Sequence, residues 1–255
     1  MLLVIDVGNT NIVYGLYKGD VLAASFRQAT QHQLTSDEFG FFIRGILSQQ
    51  NISRADISGV IVSSVVPPLM YSLSSSIIKY IDKEPMILSQ ELETGIKVNI
   101  DNPSELGTDS LANAVAASCI YSENVIVADF GTATTFSVVT AEKEFIGGAI
   151  CPGIRISIEA LSQYAAKLPW VDLKKPERVI GRNTVDCMRS GAVYGCAGQV
   201  DYIIKEMKAE LGGNAKAIAT GGMGKLIAPI STSIDRHCPC LTLDGLRIIY
   251  YKNKK

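Results

Sequence analysis

The chain has 255 residues, a hydrophobic fraction of 47%, a charged fraction of 19% and a formal net charge of −1. That length can bury the core of one large domain or two modest ones, and the composition is not that of a disordered chain. The near-neutral balance, without a basic run, gives no electrostatic footing for nucleic acid, and six cysteines without disulfide-scaffold spacing point to a reduced, cytoplasmic setting.

The predicted elements open with three strands, 2–7, 11–17 and 21–26, the last two joined by a tight turn at Lys18-Gly19-Asp20. A helix over 36–50 follows, with Ser36 as its expected N-cap and Phe39, Ile43, Ile46 and Leu47 at helical spacing. The β-branched run 59–63 suits a central parallel strand and stops at Pro67-Pro68. Ser63-Ser64 and those prolines break the wider apolar stretch 59–70, and no basic region precedes the first strand, so neither a membrane span nor a signal peptide is expected. A helix over 69–81, a strand over 86–88 and a helix over 106–121 complete the first half. The second half repeats the opening with strands 125–129, 134–140 and 144–150, the last two joined through Ala141-Glu142-Lys143. Helices over 154–164 and 184–211, a strand over 215–219 and a short helix come after them. The order indicates mixed α/β layers, and repetition at about half the chain length indicates duplicated domains facing across a cleft, expected as residues 1–118 and 119–255.

Each half carries an acidic glycine turn after its first strand: Asp6-Val7-Gly8-Asn9-Thr10, running on to Asn11, and Asp129-Phe130-Gly131-Thr132-Ala133-Thr134. Either alone reads equally well as an ordinary Asx or β turn; the matched pair favours two phosphate-gripping hairpins with a nucleotide between them. Asp6 and Asp129 end strands, where open α/β sheets place ligands, and their carboxylates suit Mg²⁺, a hard cation that binds few carboxylates together with phosphate oxygens. Gly8, Asn9 and Thr10, with Gly131, Thr132 and Thr134, offer backbone and side-chain donors to phosphates. The turn Thr220-Gly221-Gly222-Met223-Gly224 lets a flat adenosine lie against backbone. Asp109, in the first turn of the mid-chain helix, reads either as an exposed capping acid favoured by the helix dipole or as a general base for phosphoryl transfer. His237-Cys238-Pro239-Cys240 lacks a second ligand pair at zinc spacing and reads as thiols near a turn.

As a set these residues closely resemble the type III pantothenate kinases of the acetate and sugar kinase/Hsc70/actin superfamily. The resemblance runs through DVGNT at Asp6–Thr10, SVVP at Ser64–Pro67, NPSELGTD at Asn102–Asp109, DFGTATTF at Asp129–Phe136 and GGAICPG at Gly147–Gly153. It continues with IGRNT at Ile180–Thr184, SGAVYG at Ser190–Gly195, ATGG at Ala219–Gly222 and LTLDGL at Leu241–Leu246. It implies two duplicated ribonuclease-H-like domains with mixed sheets, and ATP-dependent phosphorylation of the 4′-hydroxyl of pantothenate, the first step of coenzyme A synthesis. By the same resemblance Asp6 holds phosphate-bound Mg²⁺, and Gly8 to Thr10, bordered by Val7 and Asn11, line the phosphates. Asp129 lies by a monovalent cation, K⁺ or NH₄⁺, with Thr132 nearby. Asp109 matches the catalytic base, Gly107 and Thr184 match positions that contact pantothenate, and Thr108, Asp109 and Ser110 complete the expected substrate-binding set. The resemblance also implies a homodimer whose substrate pocket is completed at the subunit interface.

Three positions depart from the pattern. The family's GADR becomes Gly107-Thr108-Asp109-Ser110, so the arginine that would meet the pantothenate carboxylate is absent; an aromatic residue before the NP turn is replaced by Asn99-Ile100-Asp101; and TATTF is followed by Ser137, not aspartate. A lost charge-assisted contact is worth about 1.5–3 kcal/mol. Arg155, Arg182 and Arg189 are the candidates to stand in. The departure at Ser110 keeps open two other readings: a nucleotide-binding accessory relative with weak or no kinase activity, and a kinase for another small hydroxylated metabolite.

Overall fold

Apart from Asp6, every residue of β1 (Leu2–Val7) is buried, as befits a strand covered by helices on both faces. In the computed structural model, which describes residues 1–254, it is followed by β2 (Asn11–Lys18), β3 (Val21–Ala29), α1 (Ser36–Gln49), β4 (Gly59–Ser64), α2 (Met70–Ile81), β5 (Met86–Ile87), β6 (Lys97–Val98) and α3 (Thr108–Ile120). Then come β7 (Asn124–Phe130), β8 (Ala133–Val139), β9 (Glu144–Pro152), α4 (Ile154–Tyr164), α5 (Thr184–Glu210), β10 (Ala215–Thr220), α6 (Gly224–Ile227), β11 (Arg236–His237) and α7 (Leu241–Asn253). Two units result. The first comprises Met1–Gly95, Asn102–Ala116 and the chain from Thr242 onward; the second comprises Ile96–Asp101 and Ala117–Leu241. This division differs from a single cut after residue 118: α7 returns to the first unit, and β6 belongs to the second.

The first unit holds a sheet of order β3-β2-β1-β4-β5, in which β1–β2–β3 form an antiparallel meander and β4 runs parallel to β1. Strand alternation sends Leu3, Ile5 and Val7 to the face packed by Phe39 and Ile43 of α1 and Leu73 and Ile77 of α2. Leu2, Val4 and Asp6 therefore share the other face, which α3 and α7 cover. Tyr17 Oη donates to Asp244 Oδ1 at 2.7 Å, Thr242 Oγ1 donates to Asn113 Oδ1 at 2.8 Å, and Arg247 pairs with Asp20. The helices meet at Gly245, where a Cβ would overlap the Ala112 carbonyl oxygen and stand 2.6 Å from its carbon. Backbone cannot yield as a flexible side chain does, so Gly245→Ala is expected to destabilise the protein by about 1.5–3 kcal/mol, read from the denaturant midpoint. A midpoint equal to wild type would show that α3 and α7 can separate freely.

The second unit repeats the pattern as β11-β10-β7-β8-β9, with β6 added beyond β9. Both meanders slip register at corresponding places, between Leu16 and Tyr17 and between Val138 and Val139. Ile126, Ala128 and Phe130 pack on Val193, Ala197, Val200 and Ile204, so the apolar stripe of α5 is core.

Most predicted elements lie within a residue or two of those observed; the differences are local. The N-cap of α1 is Thr35, not Ser36: Thr35 Oγ1 accepts from the Glu38 amide at 3.3 Å while Glu38 Oε2 accepts from the Thr35 amide at 2.8 Å, a capping box. The strands β6 and β11, two residues each, and the helix α7 are additions to the expected set. Among the described residues no helix is long and apolar enough to cross a membrane.

Candidate active site

In the first unit, β1 delivers Asp6 half-buried on the α3 and α7 face, opposite Val13 of β2 and Ser63 of β4. Val7 points into the α1 and α2 core, so only its backbone is available; its carbonyl accepts from the Val65 amide at 3.0 Å. The turn closes through Gly8 N–H donating to the Asn11 carbonyl at 3.0 Å, and a Cβ at Gly8 would stand 3.1 Å from that oxygen. Asn9, Thr10 and Asn11 are exposed. Thr30, at the end of the meander, holds the turn from outside: its hydroxyl donates to the Gly8 carbonyl at 2.6 Å and its amide to the Thr10 carbonyl at 3.0 Å. Thr30 is a structural anchor that the sequence reading missed, because nothing local marks a threonine beyond an edge strand as a partner of a distant turn.

The start of α3 belongs to the same unit. Its first intrahelical bond runs from the Leu111 amide to the Gly107 carbonyl at 3.0 Å, so Gly107 occupies the capping position without a side chain to cap. Asp109 fills that role: its Oδ1 accepts from the Ser110 amide at 2.7 Å and lies 2.5 Å from where a Gly107 Cβ would stand. Glycine at 107 thus makes room for the carboxylate. Among the described residues Oδ2 accepts no hydrogen bond from the protein. Thr108 Oγ1 accepts from Ser63 Oγ at 3.0 Å and donates to the Ser64 carbonyl at 3.2 Å, tying the helix to the strand beside Asp6. The cap reading of Asp109 uses Oδ1 alone, so it leaves Oδ2 available for the base reading.

In the second unit, Asp129 lies opposite Thr135 of β8 and Thr220 of β10. The turn is one residue tighter than the first, with Gly131 N–H donating to the Ala133 carbonyl at 2.9 Å. Gly131 and Thr132 are exposed and rest on Gly153, the N-cap of α4, where a Cβ would stand 2.8 Å from the Thr132 carbonyl carbon. Gly221, with φ +84°, packs against the Asp129 carboxylate, and a Cβ there would stand 2.6 Å from the Phe130 amide nitrogen. Gly222 faces open space. Asp129, Gly131, Thr132, Gly153 and Gly221 therefore form one cluster. Thr134 is outside it: opposite Phe130 in register, it turns into the α4 and α5 core, 1% exposed, with its hydroxyl unpartnered. The hydroxyl on the Asp129 face is that of Thr135. The shorter turn shifts the alternation by one residue relative to the first hairpin, so Thr135 and not the expected Thr134 lies on the face of Asp129.

Thr184 opens α5 in the second unit and is exposed; the helix is capped by Asn183, whose Oδ1 accepts from the Asp186 amide at 2.9 Å. Of the possible substitutes for an arginine at 110, Arg189 is engaged with the Asp172 carbonyl at 3.1 Å and Asp186 at 3.7 Å, whereas Arg155 and Arg182 are exposed. Burial, reinforced by nearby Cys151, pushes the Cys196 thiol up to about 11, which disfavours its nucleophilic thiolate.

The chemistry of these groups fits ATP and Mg²⁺. Asn9, Thr10, Asn11, Gly131 and Thr132 present exposed backbone and side-chain donors, Gly222 has open space beside it, and the acidic turns supply hard oxygen donors. Among the described residues no group of three or more His, Cys, Asp or Glu side chains forms a protein-only metal cage. A metal completed by phosphate oxygens and water, as Mg²⁺ commonly is, needs none.

Over its full length the chain is similar in structure to a protein from Campylobacter jejuni described as a Baf family transcriptional activator, at 19% identity and a TM-score of 0.60, with 98% of each chain covered. It is also similar to a protein from Sinorhizobium meliloti described as a 2-dehydro-3-deoxygalactonokinase, at 12% identity and a TM-score of 0.59, covering 99% of this chain and 95% of that one. A third similarity, at 15% identity and a TM-score of 0.55, is to (R)-2-hydroxyglutaryl-CoA dehydratase component A from Acidaminococcus fermentans, covering 100% and 99%. At these identities the likeness carries the fold alone: a duplicated ribonuclease-H-like architecture with two mixed sheets. The sequence itself matches a family over residues 2–206, a span that takes in both acidic turns, Gly107 to Ser110 and Thr184. By that match the chain belongs to the type III pantothenate kinases.

Proposed function

We propose that the protein transfers the γ-phosphoryl group of ATP to the 4′-hydroxyl of pantothenate, giving 4′-phosphopantothenate and ADP. The observation that carries this reading is the placement of Asp109: one oxygen is fixed by the Ser110 amide and the other is left to accept a proton, on a helix tied to the strand beside Asp6. In the reaction Asp109 Oδ2 takes the proton of the acceptor hydroxyl as its oxygen bonds to the γ-phosphorus and the bond to the β-phosphate oxygen breaks. The Asp6 turn orients the phosphates through Gly8, Asn9, Thr10 and Asn11; Gly131 and Thr132 take phosphate oxygens, and Gly221 and Gly222 take the nucleoside. Mg²⁺ held near Asp6 supplies charge neutralisation on the phosphates. Asp129 serves a monovalent cation, and Gly107 and Thr184 contact pantothenate. A cytoplasmic homodimer is the working form in this reading.

Coupled ADP release with pantothenate, Mg²⁺ and K⁺ is the direct test: phosphopantothenate is expected, and its absence at every substrate concentration would remove the proposal. Ser110 favours one competing reading, a different hydroxylated acceptor without a carboxylate to bind. Ser110→Arg separates the two. An arginine–carboxylate contact should lower KM for pantothenate by roughly tenfold or more. Loss of turnover in that variant, together with a better acceptor found in a panel of hydroxylated metabolites, would reassign the substrate.

A further inference from the structure

Two fixings act on the Asp109 carboxylate, and they do different things. The Ser110 amide and the space over Gly107 set the carboxylate relative to its own helix. Neither sets the helix relative to the sheet that carries Asp6. Among the described residues, the only hydrogen bonds from residues 107–110 to another element are those of the Thr108 hydroxyl, which accepts from Ser63 and donates to the Ser64 carbonyl. Ser63 is fully buried and pairs in register with Asp6, and Ser64 pairs with Val7. The path from Asp6 to the Asp109 backbone is thus one sheet pairing, one pair of hydroxyl contacts and one peptide link.

We propose that Thr108 and Ser63 form a positioning latch that sets the Asp109 carboxylate against the acidic turn of β1 for proton removal. The proposal rests on the assignment of Asp109 as the base, and it gives the Thr108 and Ser63 hydroxyls a part in placing that base. Valine at 108 keeps the shape and replaces the hydroxyl by a methyl group; it leaves the buried Ser63 hydroxyl without its acceptor and frees the first turn of α3. Serine at 108 keeps the hydroxyl. Because catalysis by positioning is sensitive to displacements near an ångström, Thr108→Val should lower kcat by roughly 10- to 100-fold while KM for ATP stays within about twofold. Thr108→Ser should recover to within about threefold of wild type. Ser63→Ala should lower kcat similarly, and the double variant should be no worse than the poorer single one, as expected of groups in one network.

The measurements are steady-state kinetics with the acceptor that wild-type enzyme uses best, and amide hydrogen exchange over residues 107–111, which needs no acceptor. Faster exchange there in Thr108→Val, restored in Thr108→Ser, together with the kcat loss, supports the latch. A Thr108→Val enzyme with wild-type kcat and unchanged exchange overturns it. If wild-type enzyme prefers an acceptor other than pantothenate, the substrate assignment fails and the latch is judged with that acceptor. If it phosphorylates none, the kinase reading fails and with it the latch's part in proton removal, and exchange then decides only the tie between α3 and β4: unchanged protection overturns it, and lost protection supports it.

Discussion

Asp109→Asn is expected to lower kcat about 10³-fold and to leave ATP affinity close to that of wild type. The substitution conserves shape, and an asparagine Oδ1 can still accept from the Ser110 amide, so the first turn of α3 keeps its cap. What changes is the second position: an amide nitrogen stands where Oδ2 was, and it donates a hydrogen bond where a proton must be accepted. General-base assistance is commonly worth 10²–10⁴-fold. The Asp6 turn is closed by Gly8, Asn11 and Thr30 and does not depend on the Asp109 charge, which is why ATP binding should persist. Steady-state kinetics with calorimetry of ATP binding checks both halves. A kcat within tenfold of wild type would return Asp109 to a purely capping role; a lost ATP affinity would show that its charge or packing supports the nucleotide site as well.

The second large effect is expected at Gly221. Its φ of +84° lies where a Cβ costs about 1–2 kcal/mol from backbone sterics alone. In addition the Cβ would overlap the Asp129 carboxylate and stand 2.6 Å from the Phe130 amide nitrogen, which is sheet backbone. Overpacking of this kind adds about 1–3 kcal/mol. Gly221→Ala should therefore destabilise the protein by about 2–5 kcal/mol, seen as a lower denaturant midpoint, and should weaken ATP binding in whatever fraction remains folded. Gly222→Ala is the control, since a Cβ there meets nothing within 4 Å; it should cost well under half as much. Equal midpoints for the two variants would mean that the Gly221 turn relaxes without reference to Asp129.

Recognition of the fold from the chain alone worked where the signal is periodic. Strands such as β1 and β7 read as continuous apolar runs because both faces are covered, α1 reads from the helical spacing of Phe39, Ile43, Ile46 and Leu47 because one face is, and the paired acidic turns are equally short-range patterns. The misses have equally definite causes. β6 and β11 are two residues each and exist only because β9 and β10 offer edges to pair with. α7 carries Gly245 in its middle, which weakens helix propensity; the residue is there because α3 comes too close for a Cβ. Thr35 displaced Ser36 as a cap because Glu38 stands three residues after it, at capping-box spacing.

For the site, sequence by itself determined the chemistry: two carboxylates ending strands, glycines where backbone must come close, and an acid in the first turn of a helix. Which of those groups share a surface was decided only by tertiary structure. Side-chain direction in a strand depends on register, and register depends on turn length, so a hairpin one residue shorter exchanged Thr134 for Thr135 beside Asp129. Likewise the contact of Thr108 with Ser63, and that of Thr30 with the Gly8 turn, join residues far apart in sequence through hydroxyl groups that carry no local mark of their partners. Periodicity is a property of a few consecutive residues; hydrogen bonding between distant ones follows from how the connections bring strands and helices side by side.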